Sequence, residues 1–236
     1  GRFVEVSDQI GVENYWPWGL SVGDINADGY EDVFITSSMN YPFRYGVNSL
    51  LLNERGKKFL DSEFVLGVEP RPGKQTAKPW FALDCDGTDS EHPRCEGREG
   101  QIEVWGALGS RSSAIFDLDG DGDLDIVTNE FNAAPLVLIS DLSAQRPIRF
   151  LKIDLQGTRS NRDGLGAVVT VRVGDKSYAK VRDGKSGYLS QSLLPLYFGL
   201  GDAVVVDQVE VRWPAGHTQI VAGPLEANTL LSIAEE

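Results

Sequence analysis

Histidine and cysteine are nearly missing from this sequence, with two of each in 236 residues. The histidines are His92 and His217, and no G-x-S-x-G, H-E-x-x-H or Walker pattern occurs. Nothing in the chain therefore points to a nucleophile–histidine site, and two Cys with one nearby His are too few for a closed zinc centre. Positive charge is also scarce: 22 Lys and Arg stand against 35 Asp and Glu, for a net charge of −13. That balance excludes nucleic acid and anionic membrane as natural partners, because phosphates need clustered Lys and Arg, and it favours cations. No apolar run approaches the ~20 residues of a membrane span. The opening stretch, GRFVEVSDQIG, has neither a basic n-region nor an apolar h-region, so it does not read as a signal peptide. Helical periodicity is almost absent.

What the chain does have is strand-length apolar pieces. DVFITS, SLLLN, IEVWGAL, DIVTNE, IRFLKIDL, AVVTVRV, LYFGL, DQVEVRW and TLLSIA alternate or run briefly, and Gly, Asn, Asp and Pro punctuate them. With 41% apolar residues, 26 glycines and 11 prolines, this predicts an all-β protein with a real core and many tight turns. Cys85 and Cys95 lie ten positions apart in DCDGTDSEHPRCEG, a polar stretch that reads as an exposed loop. A lone pair in such a loop reads as a disulfide rather than a catalytic thiol, provided the compartment is oxidising.

One unit occurs twice. WGLSVGDINADGYEDVFITSS (18–38) and SSAIFDLDGDGDLDIVTNE (112–130) each run from an apolar strand into an acidic loop and out through a second strand. The loops start 93 residues apart, well beyond a blade period of about 40 to 50 residues. The excess is the polar stretch 69–109, which looks inserted. Its Trp80, Phe81, Ile102, Val104 and Trp105 are candidates to cover an exposed blade face.

The first loop places Asp24, Asn26, Asp28 and Asp32 at positions 1, 3, 5 and 9, with Gly29 at position 6. The second places Asp117, Asp119, Asp121 and Asp125 at the same positions, with Gly122 at position 6. Five carboxylates in nine residues repel one another unless something neutralises them. Ca²⁺ takes six to eight oxygens, and alternate side chains of a tightly wound loop converge on one point. The position-7 carbonyls belong to Tyr30 and Asp123, the latter expected to turn its side chain to water. Position 12 is Ile35 or Thr128 rather than the bidentate Glu of an EF-hand, and the flanks are strand-like. The expectation is two Ca²⁺ sites, each on a strand–loop–strand unit. A third, irregular site around Asp84, Asp86 and Asp89 is weaker, because Thr88 breaks the motif; a solvated acidic loop closed by a disulfide explains that stretch as well.

The repeated strand–DxDxDGxxD–strand unit resembles the FG-GAP/VCBS repeat, the blade of integrin-type β-propellers, over about residues 14–66 and 108–142. The resemblance implies that the loop Asp and Asn residues hold Ca²⁺. Residues 157–219 resemble the ASPIC/UnbV domain through SNRDGLGAVV, GYLSQS, LYFGLG and VEVRWPAG. That domain follows such repeats in proteins similar to the cartilage acidic protein family, which implies a secreted, periplasmic or surface protein with an interaction or adhesion role. After Pro147 the acidic loops stop, so the expected division is a repeat region over 1–147 and a β-sandwich-like domain of about eight strands over 148–236.

Two repeats cannot close a ring of roughly four to eight blades. The open flank is expected to pack on the sandwich, self-associate, or meet further blades in a longer chain. Arg111, Arg159, Asn161 and Arg162 lie near Gly turns and could receive a carboxylate or sugar, although DG at 163–164 reads as a hairpin turn. Trp16, Trp18, Trp80 and Trp105 could form a sugar platform, whereas Trp213 alternates like a strand residue. The leading function is a Ca²⁺-stabilised interaction module with a protein or glycan ligand. Paired carboxylates can serve glycoside hydrolysis, but their spacing here already has a metal explanation. The alternatives are a carbohydrate-active enzyme with the Asp-rich loops structural and the site elsewhere, or a structural part of a larger extracellular assembly.

Overall fold

In the computed structural model, residues 1–37, 44–185 and 187–236 are described. The protein is nearly all β, as the alternating pattern predicts. Strands β1 (Pro17–Gly23), β2 (Asp32–Ser37), β3 (Ser49–Asn53) and β4 (Phe59–Asp61) form an antiparallel meander in sequential order. This is the four-stranded build of a propeller blade. The insert follows as a hairpin of β5 (Ala77–Asp84) and β6 (Gln101–Ala107). The second blade has three strands among the described residues: β7 (Gly109–Phe116), β8 (Asp125–Phe131) and β9 (Val137–Leu138).

Strands β1 and β7 lie side by side, and the residues between them are small for that reason. Ser21 Oγ meets Ser113 Oγ at 2.7 Å and donates to the Ser113 carbonyl at 2.9 Å. A Cβ at Gly23 would press on Ile115. Apolar contact between the blades comes from Phe34, Leu50, Val68 and Ile126. A buried polar network joins insert and blades: Arg71 pairs with Glu130 and donates to Tyr45 and Ser110, while Glu69 accepts from Tyr45 Oη at 2.7 Å.

The insert covers less of the blades than its aromatics suggest. It folds on a small core of its own, Leu83, Cys85, Cys95 and Val104, with Trp80 and Ile102 against it. Only Trp80 among the expected residues stacks on a blade aromatic, edge-on to Phe131 at 5.4 Å. Phe81 and Trp105 remain exposed. Cys85 and Cys95 are disulfide-bonded.

Among the described residues seven strands, close to the expected eight, make the C-terminal sandwich. One sheet is β13 (Leu196–Gly199), β10 (Phe150–Gln156) and β16 (Thr229–Ala234). The other is β12 (Lys176–Val181), β11 (Val168–Val173), β14 (Val205–Arg212) and β15 (Thr218–Glu226). Strict alternation fills the space between them: Leu151, Ile153 and Leu155 from β10 face Val169, Val171, Val209 and Val211, and Phe198 and Trp213 close the core. Such burial is the dominant stabilising term in a β-sandwich. The DG at 163–164 makes a turn, but not a hairpin, because its loop joins β10 to β11 across the two sheets. Among the described residues no helix is long and apolar enough to cross a membrane.

Candidate metal centre

Each acidic loop links the first two strands of its blade. Loop one runs from β1 to β2 and loop two from β7 to β8. Most of their side-chain oxygens are first spent on winding the loop itself. In loop one the Asp24 carboxylate accepts from Asp28 N at 2.9 Å and Gly29 N at 2.8 Å, while Asn26 accepts from Asp28 N at 3.1 Å. Asp28 accepts from Tyr30 N at 2.9 Å, and Asp32 bridges Ile25 N and Asn53 N at 2.8 Å each. Loop two repeats the plan. Asp117 accepts from Gly120 N at 2.7 Å and Gly122 N at 3.0 Å, and Asp125 accepts from Leu118 N at 2.7 Å and Ser140 N at 2.8 Å. Gly29 (φ 93°) and Gly122 (φ 99°) take the left-handed bend that the motif reserves for glycine.

The repeat ends there. Asp24 and Asp32 are 2% and 0% exposed; among the described residues neither is in a direct ion pair, and Lys180 favours the Asp24 carboxylate only from a distance. Burial pushes their carboxyls up, Asp24 to about 6 and Asp32 to about 7, although backbone N–H donors pull the other way. In loop two a carboxylate oxygen from each of Asp117, Asp119 and Asp125 lies within 4.8 Å of the others. This is the one gathered acidic group of that kind among the described residues. Asp121 is not in that group: Ser143, in the short helix α1 (Leu142–Gln145), donates its hydroxyl to Asp121, whose carboxyl falls below the usual range chiefly for that reason. Asp123 does not face water as expected. It is 1% exposed because Ser143 N donates to its Oδ2 at 2.7 Å, and its Oδ1 is left buried without a partner.

The donor set is oxygen only, two carboxylates are buried without a direct ion-pair partner, and one buried carboxylate oxygen is orphaned. These features fit a hard divalent cation such as Ca²⁺. The stretch around Asp84, Asp86 and Asp89 is less suited. Asp89 accepts from Asp84 N at 2.8 Å and Asp86 from Gly100 N at 2.9 Å, so the carboxylates brace the disulfide loop.

The sandwich builds the other half of both loops' surroundings, which the sequence pattern missed. Lys152 of β10 pairs with Asp117, and Lys180 of β12 with Glu31. A Cβ at Gly29 would overlap the Tyr178 ring, and one at Gly122 the Phe150 ring. Tyr197 Oη donates to the Gly122 carbonyl at 3.0 Å. Gly199 lets Asp24 lie against β13, where a Cβ would overlap its carboxylate. The only trace of this in the sequence is the repeated aromatic-x-Lys of FLK and YAK, and nothing there says which loop each would meet.

The remaining candidates divide. Arg111 is sandwiched between Trp18, at 4.4 Å from the ring centroid, and Phe131 at 5.3 Å. Its Nη1 is buried without a hydrogen-bond partner, and burial lowers its pKa. Trp18 also meets Tyr188 edge-on at 5.9 Å. Trp16 and Trp18 are partly exposed, whereas Trp213 is core and donates Nε1 to Gln219 at 2.8 Å. The loop bearing Arg159, Asn161 and Arg162 already holds a carboxylate, that of Glu235. Its Oε2 accepts from Thr158 N, Arg159 N and Ser160 N at 2.6–2.7 Å, and its Oε1 from Ser160 Oγ at 2.6 Å. Burial alone would raise the Glu235 pKa, but these donors outweigh it and hold it at about 2. Asn161 is spent on Leu165, accepting from its N–H at 2.8 Å and donating to its carbonyl at 2.7 Å.

Antiparallel blades with oxygen-rich loops, seated on a β-sandwich, define a repeat-blade protein with an appended β domain. Residues 16–50 of the chain match the FG-GAP repeat family and residues 157–236 match ASPIC and UnbV. Across both parts it is similar to cartilage acidic protein 1 of Xenopus tropicalis, at 27% identity over 266 residues covering 99% of this chain. The chain spans about 40% of the length of that relative.

Proposed function

We propose that this chain is a Ca²⁺-binding extracellular interaction module. One ion is held by Asp24, Asn26, Asp28, Asp32 and the Tyr30 carbonyl. The other is held by Asp117, Asp119, Asp121, Asp125 and the Asp123 carbonyl. The observation that carries the reading is the buried pair Asp24 and Asp32, neither in a direct ion pair, in a loop whose gathered counterpart is Asp117, Asp119 and Asp125. Burying two carboxylates without a counter-charge is costly, and a divalent ion offsets that cost. We take residues 1–147 as the metal-stabilised repeat region and 148–236 as the domain that braces it. The disulfide and the name of the relative support a secreted location. The ligand is a protein or glycan of the extracellular space.

Elemental analysis and calorimetric titration with CaCl₂ test the metal reading, with two ions per chain expected. A chain that binds no Ca²⁺, and melts at the same temperature with and without EDTA, overturns it. Arrays of glycans and extracellular-matrix proteins test the ligand. Binding that needs Ca²⁺ and weakens on Trp18→Ala supports an interaction role, while turnover of a glycan substrate would favour the enzyme instead.

A further inference from the structure

Both acidic loops meet a lysine of the sandwich, but the two lysines are spent differently. Lys180 pairs with Glu31, which stands at position 8 and is not a candidate ligand. Lys152 pairs with Asp117 itself, the position-1 carboxylate of the gathered group. Asp117's side chain is 2% exposed and that of Lys152 24%, so the pair is largely shielded from water and salt. The lysine stem is steadied by the Phe150 ring, 5.0 Å from its ammonium. That same ring covers Gly122.

We propose that Lys152 is a tethered competitor for the cation of loop two. This rests on the reading that the acidic loops hold Ca²⁺. The ammonium neutralises Asp117 while the divalent ion is absent, and two cations on one carboxylate repel. An ion entering loop two must therefore displace or work against Lys152. In loop one Lys180 is paired with Glu31 and acts on Asp24 only from a distance, so an ion entering there meets weaker competition. Loop one is the tighter, structural site, and loop two is the weaker, exchangeable one. Lys152 and Asp117 both line a cleft of about 790 Å³ between the blades and the sandwich, which gives the released ammonium room to turn into water. Filling loop two therefore loosens one charged contact between the blades and the sandwich.

The test is calorimetric titration of chelator-stripped protein with CaCl₂ at fixed ionic strength. The wild type is expected to bind two ions whose affinities differ by about tenfold or more. Lys152→Met should tighten the weaker site by about tenfold, in line with loss of a shielded ion pair. Lys152→Arg should leave it close to wild type. Two ions bound, with the weaker site of Lys152→Met unchanged or weakened, overturns the proposal and leaves the calcium reading standing. No ion bound by the wild type overturns both. A second measurement needs no variant: reductive methylation of the wild type with formaldehyde and cyanoborohydride, read by peptide mass. Lys152 should become several-fold more reactive with CaCl₂ while Lys180 does not, and equal or lower reactivity of Lys152 overturns the proposal.

Discussion

The two acidic loops carry the same motif, wind on closely similar bonds from backbone N–H to their own carboxylates, and end in different electrostatic states. Loop one is pressed against Gly199 and Tyr178, and its position-1 and position-9 carboxylates are buried, bonded to backbone N–H donors and in no direct ion pair. Loop two stays partly open, keeps Asp119 in water, and has an ammonium on Asp117. The motif sets which atoms can converge. The partner surface sets how strongly they need a cation.

Closing the gap at Gly199 should break this comparison most severely. In Gly199→Val the side chain would overlap both Asp24 and the backbone of Ala27. Urea unfolding should show a loss of about 3 kcal/mol or more, the upper range for overpacking a rigid site. A loss under about 1 kcal/mol would mean that loop one is not seated on β13 as described.

The position-6 glycines come next. Gly29→Ala and Gly122→Ala each impose a left-handed φ on alanine and push against an aromatic ring. Each is expected to cost about 2 kcal/mol. Combining Gly122→Ala with Phe150→Leu should return part of that loss, whereas Phe150→Leu should do nothing for Gly29→Ala. A return of equal size in both would erase the pairing of ring and loop.

The pH dependence sharpens the electrostatic contrast. Asp24 and Asp32 have folded pKa values of about 6 and about 7, above the ordinary 3.8. The folded metal-free protein thus holds protons that the unfolded chain has released, and their contribution to stability falls as pH rises from about 4 to about 7. In EDTA, denaturation midpoints should fall across that window, and the fall should be absent in Asp32→Asn/Asp24→Asn. With Ca²⁺ present the slope should flatten or reverse, because the ion binds the carboxylates and not the acids. A metal-free protein that gains stability over that window by way of these two residues contradicts the account of loop one.

The smallest effect belongs to a carboxylate outside both loops. Glu235 is held at about 2, below its ordinary 4.5, so its stabilising contribution is complete above about pH 4.5 and is lost as pH falls towards 2. Glu235→Gln should lower stability at neutral pH and converge with the wild type in strong acid. It should leave Ca²⁺ affinity untouched, which separates carboxylates that need a cation from one that already has its donors.

Much of the fold was legible in the residues. Period-2 alternation marks β10 and β14 as strands with one core face, and the repeated acidic loop marks the first hairpin of each blade. The isolated Cys85 and Cys95 did form a bond. What stayed hidden depends on contacts far apart in the chain. Asp123 looked like a solvent-facing residue because its neighbours in sequence are polar, yet Ser143 reaches back twenty positions to bury it. Arg111, which its place near a Gly turn made one possible receptor for a carboxylate or sugar, is a guanidinium stacked between two rings. Lys152 and Lys180 were two unremarked charges in amphipathic strands.

The sequence by itself determined the all-β class, the strand–loop–strand unit, and the set of oxygens able to converge on an ion. These follow from local periodicity, glycine at position 6, and alternating carboxylates, all of which act within a dozen residues. Only the tertiary structure decided that Asp24 is sealed against β13 while Asp117 meets Lys152. That choice rests on desolvation and Coulomb interaction, which depend on distance in space and not on separation along the chain.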